Sequence, residues 1–217
     1  MGTYIAILGW SATLLGFLRL APQALTILRS QTISGVSSAS TVFTVVSGFW
    51  WVTYGVSLGD APTSVSSLGA LVAPCFCYVY LLRRGGVGIL YNTILVLGVL
   101  FGVLLLLPGA HVLGMAAAVS TVASMLPQFL RIARTGDVSG LSEWTWALTA
   151  PNTVLWAVYG TLVGSIPMVL PALVIIPGAV LIARSMERNG DTGSNDGVLF
   201  GAARRSFSRS TIPIPTA

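Results

Sequence analysis

Pro22-Gln23-Ala24-Leu25-Thr26-Ile27-Leu28-Arg29 and Pro127-Gln128-Phe129-Leu130-Arg131-Ile132-Ala133-Arg134 are two copies of one phrase, 105 residues apart. The match runs on downstream without a gap. Ser34-Gly35 and Ser37 meet Ser139-Gly140 and Ser142, and Thr44 meets Thr149. Trp51, Tyr54-Gly55, Gly59 and Pro62 meet Trp156, Tyr159-Gly160, Gly164 and Pro167. Shared apolar bias cannot align Pro, Gln, Arg, Trp and Tyr at a single offset. A fixed internal period is the mark of a duplicated architecture.

Composition sets the solvent of that architecture. Of 217 residues, 54% are hydrophobic and 8% charged, with mean hydropathy +0.86. Soluble domains carry roughly 25% charged residues, so this chain has too few polar groups to cover an aqueous exterior. A lipid bilayer is the solvent that fits. All 11 basic residues are arginine, and the formal charge is +5. In a soluble chain that balance points to nucleic acid. Here the arginines separate apolar runs and act as topology signals, so no nucleic-acid partner is expected.

Seven runs are long enough to cross: 3–27, 38–58, 62–82, 87–107, 109–132, 142–162 and 165–184. The first holds Arg19 and Pro22, has no basic leader and recurs later, so it reads as a span and not a cleavable signal. With seven spans, Arg29, Arg83, Arg84, Arg131, Arg134, Arg184 and the tail arginines share one side. The opposite loops hold Asp60, His111 and Ser165. The positive-inside rule then places the N-terminus outside and the C-terminus in the cytoplasm. Arg19, inside the first span, is near enough to the arginine-rich end to snorkel. Beyond about residue 185 the chain turns polar and ends in Ile212-Pro213-Ile214-Pro215, the composition of a disordered cytoplasmic tail.

The expected fold is an all-α membrane protein of seven transmembrane helices. Residues 1–82 form a first three-helix repeat, 83–108 a linker helix, 109–184 a second repeat and 185–217 the tail. Three helices are an odd number, so a second copy joined directly would enter upside down. The unmatched fourth span restores its direction, giving 3+1+3 with parallel repeats.

Several residues stand out chemically. Pro22 and Pro127 cannot donate to the carbonyls of Leu18 and Ala123, which kinks each first helix near its arginine-rich end. The amides of Gln23 and Gln128 are placed to satisfy freed backbone groups on a neighbour. These four are candidate gating hinges, or the carriers of a static kink that lets three helices pack. On the second helix of each unit, Ser47 and Trp51 share a face, as do Asn152 and Trp156. Tyr54 and Tyr159 extend the same stripes. An indole face beside hydrogen-bonding groups suits a sugar ring, with its C–H faces and hydroxyl rim. Trp50 breaks the symmetry and reads as belt or core. Cys75 and Cys77 read as small buried apolar residues, so neither a metal nor a cofactor is expected.

The paired Pro–Gln, the arginine after each, the Ser–Gly turn and Trp-x-x-Tyr-Gly together resemble the PQ-loop superfamily. Within it the chain is similar to the SWEET sugar transporters and their half-size bacterial relatives, over about 1–184. SWEETs exemplify parallel repeats about an axis along the membrane normal. The resemblance implies a facilitator of a small solute, most simply a sugar, working by alternating access. It also admits an amino-acid exporter of the cystinosin type, or a non-transporting receptor or sensor. It implies the polar residue four before each Trp as a substrate contact, and an Asn on each third helix. This chain has Ser67 and Ala172 at those third-helix positions. It also has Ser37 and Ser142 where plant members carry proline. Substrate contacts are therefore expected from Ser47, Trp51, Ser67, Asn152 and Trp156. The lipid bilayer and a small solute are the expected partners, and a homo-oligomer is compatible.

No Ser/His/Asp set or paired intramembrane carboxylates supports catalysis, so an enzyme is not expected. The acidic residues lie in loops, at helix ends or in the tail, the pattern of a uniporter and not a proton symporter. Absent lysine with abundant Arg, Ala and Gly reads as a GC-rich genome and a bacterial inner (cell) membrane.

Overall fold

The computed structural model describes residues 2–30, 38–136, 138 and 143–187; the side chains of 21–30, 40, 127, 143 and 144 fall outside that description. Every regular element described is helical. The helices are α1 (Thr3–Ser30), α2 (Ser38–Ser57), α3 (Ala61–Arg83), α4 (Ile89–Leu104), α5 (Ala110–Thr135) and α6 (Glu143–Leu162). The span α7 (Ile166–Glu187) opens with Ile166–Val169, turns at 170–171 and continues over 172–187. Pro171 causes the interruption, since it has no N–H to return to the preceding turn. The helix therefore runs past the boundary expected at 184, and the remainder of the tail, from 188, lies outside the described residues.

Among the described residues, four helices are both long and apolar enough to cross a bilayer: Thr3–Leu20 within α1, α3, α5 and α7. The other three differ from the seven uniform spans that sequence alone gives, for two reasons. At 20 residues each, α2 and α6 have sufficient length, but Ser, Thr, Asn, Tyr and Trp dilute their apolarity. At 16 residues, α4 is apolar but short, about 24 Å at 1.5 Å per residue. Large apolar side chains stand exposed across the outer faces, among them Val72, Leu97, Leu100, Leu107 and Leu173. Such a surface is stable only in hydrocarbon. The chain is a multi-pass membrane protein.

In lipid an apolar side chain gains little by leaving the acyl chains for a helix interface, so close packing at small residues holds helices together. α2 packs on α3, α4 and α5, while α1 packs on α3 and α6, and the start of α7 packs on α5 and α6. Glycines make these approaches. A β-carbon at Gly178 would collide with the Phe129 ring, and one at Gly69 with the Phe17 ring. α4 is keyed to α2 by Trp50, whose Nε1 donates to the Gly98 carbonyl at 2.9 Å. Its ring also lies over Gly102 and tilts against Phe101. Tyr78 ties α3 to α4 through Asn92 Oδ1 at 2.5 Å.

The turns α2–α3 and α6–α7 are built alike. Gly59 (φ +65°) and Gly164 (φ +70°) take left-handed conformations. The next N–H reaches back five residues, Asp60 to Gly55 at 2.9 Å and Ser165 to Gly160 at 2.7 Å. This is the Schellman closure of a helix end. Pro62 and Pro167 follow in the first turn of the next helix, where no N–H is required.

α1 and α5 remain helical through Pro22 and Pro127. The side chains of the expected hinges Pro22, Gln23 and Pro127 lie outside the described residues, and Gln128 is half-buried.

Candidate solute cavity

One end of the bundle is closed by crossed bonds. Tyr54 of α2 and Tyr159 of α6 are each 0% exposed. Tyr159 donates to Asp60 Oδ1 at 2.6 Å, and Thr63 donates to Asp60 Oδ2 at 2.5 Å. Tyr54 shares a 2.7 Å hydrogen bond with Ser165. Asp60 and Ser165 are the N-cap residues of α3 and α7, yet neither side chain caps its own helix. Ser165 is engaged by the tyrosine of the other half of the chain, and Asp60 divides its oxygens between Tyr159 of the other half and Thr63 of α3. The rings pack crosswise too, Tyr159 over Gly9 beside Pro62 and Tyr54 over Gly114 beside Pro167. Asp60, expected as a loop acid, is thus a buried acceptor with both oxygens engaged.

Below this closure lies a cavity of about 250 Å³ between α1, α2, α3, α5, α6 and α7. Trp51, Ser67, Asn152 and Trp156 line it. Ser47, expected among them, does not, and the neighbouring Gly48 takes the wall position. Ser120 spends its only proton on the Ala117 carbonyl at 2.7 Å, so at 2.6 Å Ser47 is the donor to Ser120. The Ser47 hydroxyl therefore joins α2 to α5.

Most of the wall obeys the register of the sequence repeat. Gly16 and Thr121, Leu20 and Met125, Gly48 and Thr153, and Trp51 and Trp156 all line it in pairs. So do Thr63 and Met168, Ser66 and Pro171, and Ala70 and Ile175. Arg19, Ser67 and Asn152 line it without their equivalents Ser124, Ala172 and Ser47.

The two indoles are held differently. Each meets a tyrosine edge to face, Trp51 with Tyr54 at 5.9 Å and Trp156 with Tyr159 at 5.6 Å. Trp51 Nε1 also donates to Thr121 Oγ1 at 2.9 Å. The equivalent of Thr121 is Gly16, which offers no hydroxyl to Trp156. Asn152 is 6% exposed and gives an amide proton to the Ala12 carbonyl at 2.7 Å. A carbonyl can only accept, which fixes the Asn152 nitrogen toward α1. Its other amide proton and its oxygen remain for the cavity. A β-carbon at Gly16 would stand 3.6 Å from both Asn152 Nδ2 and Ser66 Oγ, so the glycine admits these polar groups to one space.

Sequence reading missed Arg19. Taken for a snorkelling residue, it lines the cavity, with Nε buried. The signal was present: Gly9, Ala12, Thr13 and Gly16 form a small-residue stripe on α1, and Arg19 continues it one turn on. Small residues mark the protein-facing side of a membrane helix.

No protein-family profile matches the chain, and no curated protein matches it. Among solved structures it is similar to a eukaryotic SWEET transporter, with TM-score 0.64 and 18% sequence identity, covering 83% of this chain and 96% of that one. The fold is SWEET-like. The alignment takes in nearly the whole of the solved protein and is not confined to a shared helical hairpin.

Proposed function

We propose that the chain is a facilitative transporter of a small solute, most simply a sugar, working by alternating access of two three-helix bundles. The observation that carries the reading is the cavity wall, where residues 105 apart face one space and two tryptophans flank it. In this reading α1–α3 (within 1–82) and α5–α7 (within 109–184) are parallel repeats, and α4 (within 83–108) is the linker that sets their direction. All seven helices cross, in a bacterial cell membrane, with the N-terminus outside. The closed Asp60 end is then the outer end. Pro22, Gln23, Pro127 and Gln128 are the hinges at the other, and Trp51, Ser67, Asn152 and Trp156 contact solute. Two reciprocal packings support the repeat: α1 on α6 and α2 on α5 are equivalent pairs.

Reconstituted protein is expected to move one or more labelled monosaccharides down their gradients. Trp156→Ala and Asn152→Ala should each slow transport by about tenfold or more, the equivalent of ~1.4 kcal/mol of lost solute contact. If no sugar in the panel moves, or both variants transport at the wild-type rate, the site assignment is wrong.

The same reading predicts uniport. Among the described residues no carboxylate lines the cavity, and proton coupling needs a titratable group in the path. Initial rates in liposomes should be the same with and without an imposed pH gradient. Accumulation of solute against its own gradient, driven by protons, would overturn this.

A further inference from the structure

Among the described residues, Arg19 is the only charged side chain on the cavity wall. Its Nε is buried and has no hydrogen-bond partner among the described residues. A guanidinium N–H held away from water requires a counter-charge or an acceptor, and Arg19 Nε–H is so held on a half-buried side chain. Neither is supplied by the described residues of the wall. The buried acid among the described residues, Asp60, already accepts from Tyr159 and Thr63. It also lies at a different level. Thr13 bonds the Pro62 carbonyl at 3.0 Å, which sets Thr13 beside the start of α3. Arg19 is six residues further along α1, about 9 Å at the helical rise.

We propose that the cavity takes a sugar acid, a monosaccharide-sized polyol with one carboxylate that pairs with Arg19. This rests on the reading of the cavity as the solute site. Guanidinium and carboxylate match as a planar two-bond fork, the arrangement that gives charge-assisted bonds their strength and direction. A single cation on the wall suits a monoanion better than a phosphate dianion. An amino acid would bring an ammonium group as well, and no described carboxylate lines the cavity to receive it. The remaining wall is that of a carbohydrate site, with Trp51 and Trp156 for ring faces and Ser66, Ser67 and Asn152 for hydroxyls. At about 250 Å³ it is below the roughly 300–1,000 Å³ of sites for drug-sized ligands, and so is scaled to one ring.

The test is titration of the purified protein with D-glucuronate and D-glucose, followed by tryptophan fluorescence and thermal midpoint. Wild type should bind glucuronate at least about tenfold tighter than glucose. Arg19→Gln should bring glucuronate to the level of glucose, abolishing the preference, and keep or raise the ligand-free midpoint, because it removes a buried N–H donor that has no partner among the described residues. Glucuronate should raise the midpoint of wild type and not of Arg19→Gln. Arg19→Lys should keep part of the preference, as a point charge without the fork. If Arg19→Gln weakens both ligands equally or lowers the ligand-free midpoint, Arg19 is a structural tie and the proposal is overturned. If glucose binds in a Trp156-dependent way and glucuronate is not preferred, the sugar-acid assignment falls and the solute site stands. If neither ligand responds to Trp156→Ala, the site reading falls with it.

Discussion

Asp60→Ala should lower the thermal midpoint of the detergent-purified protein more than any other polar change at the closed end. The carboxylate accepts from Tyr159 and Thr63, both buried. Its removal strands two hydroxyls at about 1–3 kcal/mol each, partly offset by relief of a buried charge, for a net loss of roughly 2–3 kcal/mol. Ser165→Ala and Tyr54→Phe break the equivalent neutral bond and strand one hydroxyl instead of two, so each should cost about 1–2 kcal/mol, less than Asp60→Ala. The order is the discriminating feature. If Ser165→Ala costs as much as Asp60→Ala, the charge is not what strengthens this end. In the alternating-access reading the same bonds hold the outer end shut, so Asp60→Ala should also shift the bundle toward opening there. A cysteine placed at Thr121 in a background without Cys75 and Cys77 should then react faster with a membrane-impermeant thiol reagent applied from that side.

Gly55→Ala should be the most damaging methyl addition among the described glycines. On an exposed helix, Gly→Ala stabilises by about 1 kcal/mol through backbone entropy. At Gly55 the added carbon would stand 2.8 Å from the Ser64 amide nitrogen and 3.1 Å from its Cα. Backbone cannot rotate aside as a side chain can, so α3 has to move away from α2. Overpacking of this kind costs about 1–3 kcal/mol even where side chains can adjust. The shift also pulls on the Asp60–Gly55 closure and thence on the Tyr159 bond. Gly98→Ala is the control: its clash is with the side chain of Val46 at 2.8 Å, and some rearrangement there is open. Thermal midpoints and yield of monodisperse protein would decide it. A Gly55→Ala midpoint at or above wild type would show that the close approach is not a constraint.

The helix order and the pairing of Trp51 with Trp156 were legible from the sequence because they rest on rare residues at one offset. So were the prolines opening α3 and α7, since their place follows from a missing N–H. What could not be read was direction around each helix. In a chain this apolar the usual contrast between polar and greasy faces is weak, so periodicity alone does not orient a residue. Ser47 shows the failure. Symmetry with Asn152 implied a wall position, but the hydroxyl is turned to Ser120 on α5, a partner no local pattern announces. Asp60 shows another: a loop acid in sequence becomes a buried acceptor only once Tyr159, 99 residues away, is brought to it. Arg19 failed for a different reason. The small-residue stripe leading to it was visible, and the general tendency of arginine to reach for the interface was given more weight.

The unmatched wall positions carry a consequence for how such a cavity can be tuned. An assembly of two identical three-helix chains shows every wall residue twice, related by its two-fold axis. A guanidinium there would face its own image across a narrow, poorly hydrated space, and like-charge repulsion would select against it. A chain that contains both halves is free of that mirror. Position 19 holds arginine while position 124 holds an exposed serine. Covalent linkage therefore does more than spare the halves from having to find each other: it admits an odd number of charges to a site whose framework is even.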